Sequence, residues 1–129
     1  MAYLFVYGYL MRGCRQHNKY LSGDKYLGKA IIREHTLFDA GGFPVAVLSA
    51  GIEGLEGSDV VVGEVYEVPK ERLEEIDIYE GGGLMFGRQL LEAEMFTKRE
   101  YEICNVYCYI WNRSINGLEH LGSAWREKI

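Results

Sequence analysis

The residues with the most chemical promise lie between Leu73 and Arg88: Leu-Glu-Glu-Ile-Asp-Ile-Tyr-Glu-Gly-Gly-Gly-Leu-Met-Phe-Gly-Arg. The segment reads as a helix that runs into a glycine turn and hands over to a strand. Residues three, four and seven apart share a helix face, so Glu80 follows Leu73 and Ile76 on a stripe that should stay apolar. It also falls in the last turn, where the helix dipole disfavours negative charge. A carboxylate that breaks two local rules is a candidate for acid–base chemistry, because such violations gather at functional positions. Asp77, one turn earlier, is either a second carboxylate to pair with it or a solvated helix residue. The competing reading of Glu80 is a surface side chain at a frayed helix end, since perturbed acids are a minority among acids.

Other chemistry is less well supported. Gly8-Tyr-Leu-Met-Arg-Gly13 follows a strand with the glycine spacing of a phosphate loop, but Cys14 and Arg15 stand where that loop needs Lys and Ser or Thr. What survives is a strand-end turn that either presents backbone N–H groups to an anion or is an ordinary turn. Cys14 and His17 lack the orienting third group of a nucleophile–base pair. Cys104 and Cys108 share a strand face with Val106 and Ile110, which reads as a core face. His17, His35 and His120 are scattered, so no metal site is expected.

The elements that must position these residues are mostly strands. With 129 residues, 48% of them hydrophobic, the chain is long enough for one well-buried core, and a single domain over residues 1–129 is expected. Sixteen glycines against two prolines imply many tight turns, and ten tyrosines with five phenylalanines favour strands. Strands are expected over Tyr3–Tyr9, Tyr26–Leu37 (with an edge or bend at Arg33-Glu34-His35), Val45–Leu48, Val60–Val68, Gly87–Phe96 and Tyr101–Trp111. A short helix is expected before Leu21, and a longer one opens with Pro69 in its first turn. Residues 117–129 carry Leu118, Leu121 and Trp125 at helical spacing. Gly51–Asp59 reads as a surface loop and Thr97–Glu100 as a hairpin loop. Without a β-α-β alternation, the expected fold class is α+β: a small mixed β-barrel of about six strands flanked by a few short helices.

The net charge of −5 and the absence of a Lys/Arg block exclude the electrostatic footprint of a nucleic-acid binder. Three cysteines without framework spacing point to a reducing, cytoplasmic setting. The first residues turn apolar at once and read as a strand, not a signal peptide. No apolar run is long enough to span a bilayer, so no membrane partner is expected.

Five stretches, in order, resemble the γ-glutamylcyclotransferase-like (AIG2-like) superfamily. Val6-Tyr7-Gly8-Tyr9-Leu10 resembles its V-Y-G-S/T-L signature, and Gly42-Phe43-Pro44-Val45-Ala46 its Y/F-P-A turn. Val62-Gly63-Glu64-Val65-Tyr66 is similar to its V-x-G-E-V-Y/F strand. Ile76-Asp77-Ile78-Tyr79-Glu80-Gly81, followed by Phe86-Gly87-Arg88, is similar to its L-D-x-x-E-G…Y-x-R segment. Val106-Tyr107-Cys108-Tyr109 looks like its late V-Y-x-Y strand, so the match runs from about Tyr3 to Trp125.

The resemblance implies a small mixed barrel and a cofactor-independent enzyme that cleaves γ-glutamyl amines or γ-glutamyl peptides. The substrate's α-amine attacks its own γ-carbonyl, giving 5-oxoproline and a free amine. Glu80 matches the family's essential glutamate, the general acid/base. Tyr7, Gly8, Tyr9 and Leu10 match the substrate loop, and Phe86 and Arg88 the segment behind the glutamate. No metal, nucleic acid or membrane is implied; the partner is a small γ-glutamyl compound. Two residues depart from the pattern. Tyr9 replaces a small hydroxyl residue, and Phe86 replaces a tyrosine. The alternative reading is therefore a non-catalytic small-ligand binding module that keeps the barrel cavity.

Overall fold

The structure, a computed structural model, describes residues 1–55, 59–97 and 100–126. Along them the chain forms β1 (Ala2–Val6), α1 (His17–Tyr20), β2 (Lys25–Arg33), β3 (His35–Asp39) and β4 (Pro44–Leu48). β5 (Val60–Val68), α2 (Lys70–Tyr79), β6 (Phe86–Phe96), β7 (Tyr101–Trp111) and β8 (Glu119–Gly122) complete it. Five strands close into a barrel in the order β1-β5-β2-β6-β7, and β4-β3-β8 form a second sheet. All barrel pairings are antiparallel except the closing one, where β1 meets β7 in parallel through Leu4 and Tyr107.

Alternation along the strands sorts side chains onto two faces. Phe5, Ile32, Val61, Val65, Ala93, Val106, Cys108 and Ile110 belong to one buried cluster. Leu4, Val6, Tyr66, Val68, Phe86 and Tyr109 lie in a second cluster with Leu73 and Ile76 of α2. Cys108 and Cys104 thus sit on the core face expected of them. Pro69, extended at ψ 156°, caps α2 from just outside it.

The mixed α+β barrel with few helices is the expected architecture, and several details differ. Among the described residues there are eight strands rather than about six. The strand expected over Tyr26–Leu37 breaks at Glu34, whose left-handed backbone (φ 62°) turns the chain from the barrel into the second sheet. The Glu34 N–H donates to the Asp59 carbonyl (2.8 Å), and its own carbonyl accepts from the Ser49 N–H (2.9 Å). Those bonds offset the steric cost of a left-handed residue that is not glycine. The first strand stops at Val6, so Tyr7–Leu10 form the turn beyond it.

The helical spacing of Leu118, Leu121 and Trp125 does not produce a helix. Residues 119–122 are a strand on the free edge of β3, with Phe38 opposite His120 and Asp39 opposite Glu119. The edge offers unpaired backbone groups, and Gly117 and Gly122, both at positive φ, stop a helical run. Residues 127–129 of that segment, 56–58 of the Gly51–Asp59 loop and 98–99 of the Thr97–Glu100 loop lie outside the described residues.

Gly63, in the middle of β5, permits closure of the barrel. A Cβ there would stand 2.3 Å from the Val6 carbonyl oxygen and 2.6 Å from the Phe5 ring. Backbone cannot retreat as a flexible side chain can, so overpacking at this point costs stability. Gly63→Ala is expected to lower unfolding free energy by at least about 1–3 kcal/mol, read as a shifted urea midpoint at unchanged m-value. An unshifted midpoint would contradict the close approach.

Candidate active site

The last turn of α2 and the turn after β1 meet at one cavity of about 220 Å³. That is below the roughly 300–1,000 Å³ typical of sites for drug-sized ligands, and suits a molecule of amino-acid size. One side is formed by Phe5 to Leu10, the other by Tyr79, Glu80, Met85 and Phe86, with Phe43, Pro44 and Tyr109 completing it. Among the described residues Glu80 is the only carboxylate in this lining, which contains no Lys, Arg or His.

A run of three glycines fixes where the helix leaves Glu80. Gly81, Gly82 and Gly83 all adopt positive φ, which ends the helix and makes Glu80 its C-cap. The Glu80 N–H still donates to the Ile76 carbonyl (2.8 Å). Leu73 and Ile76 are buried, and Glu80 continues their face into the cavity. Burial pushes its carboxyl up to about 7. Among the described residues no cation pairs with it, so desolvation acts without a compensating charge.

Asp77 does not join Glu80 as a second carboxylate. It accepts a 2.5 Å hydrogen bond from the Tyr109 hydroxyl and pairs with Arg88 Nη1 at 3.3 Å. These contacts pin the end of α2 to β7 and β6. Arg88 also lies over the Tyr107 ring, 5.1 Å from its centroid, and is not among the cavity-lining residues. Phe86 is in the lining, buried and edge-on to Trp111 at 5.2 Å.

On the other wall, Tyr7 is buried; its hydroxyl donates to the Tyr109 carbonyl (2.6 Å) and accepts from the Ala46 N–H (3.2 Å). Gly8 lies against Pro44, where a Cβ would come within 3.0 Å of the proline ring. Its small size therefore admits a side chain of β4. The Tyr9 hydroxyl donates to the Gly42 carbonyl at 2.5 Å, and its ring stands edge-on to Trp125 at 4.8 Å. The phenol is swung aside toward the β3–β4 turn. Leu10 is buried, and its carbonyl accepts from His17 Nδ1 (3.0 Å), which makes His17 a brace for this turn. Among the described residues no protein acceptor takes the N–H groups of Gly8, Tyr9 or Leu10, leaving them available to a ligand.

Sequence reasoning did not single out Tyr79 and Met85 as lining residues. Tyr79 lies three residues after Ile76, a helical spacing that marks the same face. Met85 has no such signal, because it reaches the cavity only through the glycine turn. Among the described residues no group of three His, Cys, Asp or Glu is placed to hold a metal ion, and no helix is long and apolar enough to cross a membrane.

The raised Glu80 carboxyl has a thermodynamic consequence. The native state holds this proton up to about pH 7, whereas the unfolded chain releases it near 4.5. Between those values the native state binds more protons, so this group's contribution lowers stability as pH rises through the window and is constant above it. The full penalty is on the order of 3 kcal/mol. Glu80→Gln, which cannot ionise, should be more stable than the wild type at pH 8 by about 1–3 kcal/mol, the gap closing toward pH 4.5. Urea denaturation at both pH values measures this; equal stability at pH 8 would contradict the desolvated carboxylate.

The chain matches the family described as gamma-glutamyl cyclotransferase, AIG2-like, over residues 4–127. It is 32% identical over 102 residues to a putative gamma-glutamylcyclotransferase of Methanocaldococcus jannaschii, covering 79% of this chain and 80% of the relative. It is 26% identical to the gamma-glutamylcyclotransferase family protein YtfP of Escherichia coli K12, covering 97% of this chain and 96% of the other. Among solved structures, an AIG2-like protein from Mus musculus shares the fold with a TM-score of 0.77 at 24% identity, covering 97% of this chain and 88% of that one. An uncharacterized protein from Pyrococcus horikoshii matches with a TM-score of 0.66 at 29% identity, covering 94% and 86% of the two chains. By the extent of these matches, the chain belongs to the γ-glutamylcyclotransferase (AIG2-like) family.

Proposed function

We propose that this protein is a γ-glutamyl-amine or γ-glutamyl-peptide cyclotransferase with Glu80 as its general acid/base. The observation that carries the reading is a desolvated glutamate, with its carboxyl at about 7, facing the Tyr7–Leu10 turn across a cavity of about 220 Å³. The substrate's α-amino nitrogen attacks its γ-carbonyl carbon. A lactam C–N bond forms and the amide C–N bond breaks; the α-ammonium gives up two of its three protons, each taken by Glu80 and passed to the departing nitrogen, which leaves as the protonated amine. The products are 5-oxoproline and a free amine; no co-reactant is needed.

Magnitudes favour this assignment. The attack is intramolecular, so the enzyme has only to select the folded-back conformer. The substrate's α-ammonium, at or above the value of about 8 for a peptide terminus, is more than three units above an ordinary glutamate, and raising the Glu80 carboxyl to about 7 closes more than two of those units. Proton transfer becomes a step that a single carboxyl can serve in both directions. The spare N–H groups of Gly8, Tyr9 and Leu10 supply donors for the substrate's carboxylate, and Tyr7 and Phe86 shape the space around its methylene chain. Arg88 acts at one remove, through Asp77, on the position of α2.

The test is direct. Incubation with γ-glutamyl amides should release 5-oxoproline from the wild type, and Glu80→Gln should reduce kcat/KM by at least about a hundredfold. The wild-type kcat/KM should fall below about pH 7 as Glu80 becomes protonated in the free enzyme. Saturable ligand binding without product would establish the binding module instead. The engagement of its hydroxyl by Gly42 supports reading Tyr9 as a wall and not as a donor to substrate. Tyr9→Phe should therefore keep kcat within about threefold while costing about 1 kcal/mol of stability. A loss of turnover above tenfold would make the phenol a substrate contact.

A further inference from the structure

A second depression, about 680 Å³, lies on the other side of the Tyr9 ring. Its charge is unusual for a chain of net charge −5: among the described residues Arg12, Arg15, Lys29 and Arg126 line it, against the single carboxylate of Glu64. That carboxylate is already engaged. Its Oε1 accepts the Arg12 N–H at 2.8 Å and the Tyr66 hydroxyl at 3.0 Å. Lys29 stands opposite Glu64 across the β2–β5 ladder, yet among the described residues no carboxylate forms an ion pair with Lys29 or Arg126. The groove therefore concentrates positive potential where the rest of the surface is net acidic.

The groove and the cavity share a wall. Tyr9 lines the cavity, and Trp125, edge-on to it at 4.8 Å, lines the groove. Arg15 lines the groove, with its guanidinium 4.6 Å from the centre of the Tyr9 ring. It is also close enough to act on Tyr79, a cavity residue. Burial and then the Glu80 carboxylate push the Tyr79 phenol up to about 12, and the Arg15 charge opposes them. Leu10 of the cavity runs directly into Met11 of the groove. A molecule seated by its glutamyl end against Glu80, and too large for that space alone, has this basic groove as its neighbour.

We infer that the groove is the leaving-group subsite, and that it selects γ-glutamyl compounds whose amine portion is an amino acid or peptide carrying carboxylates over those whose amine is neutral or cationic. This rests on the cyclotransferase reading of Glu80. Exposed lysine and arginine contribute modestly per charge, and salt screens them. The preference should therefore grow with the number of carboxylates and fall with ionic strength. A polyamine leaving group meets like charge and is disfavoured.

Three substrates with one glutamyl end separate the possibilities: γ-glutamylglutamate, γ-glutamyl-n-butylamide and γ-glutamylputrescine, each assayed for 5-oxoproline. The expected order of kcat/KM is dicarboxylate, then neutral, then cationic, with at least about tenfold between the first two. Raising the salt from about 0.02 to about 0.5 M should compress that ratio severalfold. The double variant Lys29→Glu/Arg126→Glu, checked for folding by circular dichroism, should bring it near one, mainly through KM. Equal efficiency for all three substrates, or a ratio indifferent to both salt and the double variant, overturns the inference while leaving the cyclotransferase reading intact. Absence of 5-oxoproline from every substrate overturns that reading, and the inference with it.

Discussion

The Tyr7 hydroxyl holds together three parts of the molecule that the chain itself does not join. It donates to the Tyr109 carbonyl on β7 and accepts the Ala46 N–H from β4, while its own residue follows directly on β1. The barrel closes between β1 and β7 by a parallel pairing at a single register position, so this bond reinforces the weakest joint of the ring. The same bond fixes the second sheet against the barrel and aims the Gly8–Leu10 turn at the end of α2. Because Tyr7 is buried, the bond forms where no water competes for it. The cavity is what remains between parts held in this way.

Across that cavity the balance is different. Glu80 is desolvated with no cation in the lining among the described residues, and the fold carries the resulting penalty. Positive charge is available close by, but it is used elsewhere: Arg88 is drawn to Asp77, and Arg15 lies over Tyr9 on the far side of the wall. A guanidinium beside Glu80 would lower its pKa, away from the neutral range. The Tyr109–Asp77–Arg88 chain thus does two things with one acidic residue. It anchors the last turn of α2, and it keeps Arg88 engaged on Asp77.

The division of charge between cavity and groove arises from the same geometry. A space with one carboxylate and no cation among its described lining residues favours an ammonium approaching it, and the adjoining basic groove favours carboxylates. The Tyr9 ring stands between them, held by Gly42, Trp125 and Arg15. A small hydroxyl residue could not reach Gly42, Trp125 and Arg15 together. The departure from the family's usual residue at this position therefore has a structural consequence: a bulky ring stands at the boundary where two regions of opposite charge adjoin.

Much of this protein was legible in its sequence. Val60–Val68 and Tyr101–Trp111 form the strands expected of them, residue for residue, because both are long runs of strand formers bounded by turns. Leu73 and Ile76 are buried where the helical stripe requires, and the glycine run ends α2 at Glu80. Identity, order and spacing along the chain also carried the family assignment. What sequence could not decide were facts about partners distant in the chain. Residues 119–122 became a strand because β3 had a free edge, against their own spacing. Glu34 took a left-handed conformation because Asp59 and Ser49 supply its backbone partners. Asp77 could have paired with Glu80 by helical geometry, and only the approach of β7 and β6 gave it to Tyr109 and Arg88 instead. Glu80 itself was odd in the sequence, either a frayed surface group or an acid with work to do. Only the folded structure, by removing its water without supplying a counter-ion, raised its proton affinity, because desolvation depends on what surrounds a residue and not on what precedes it.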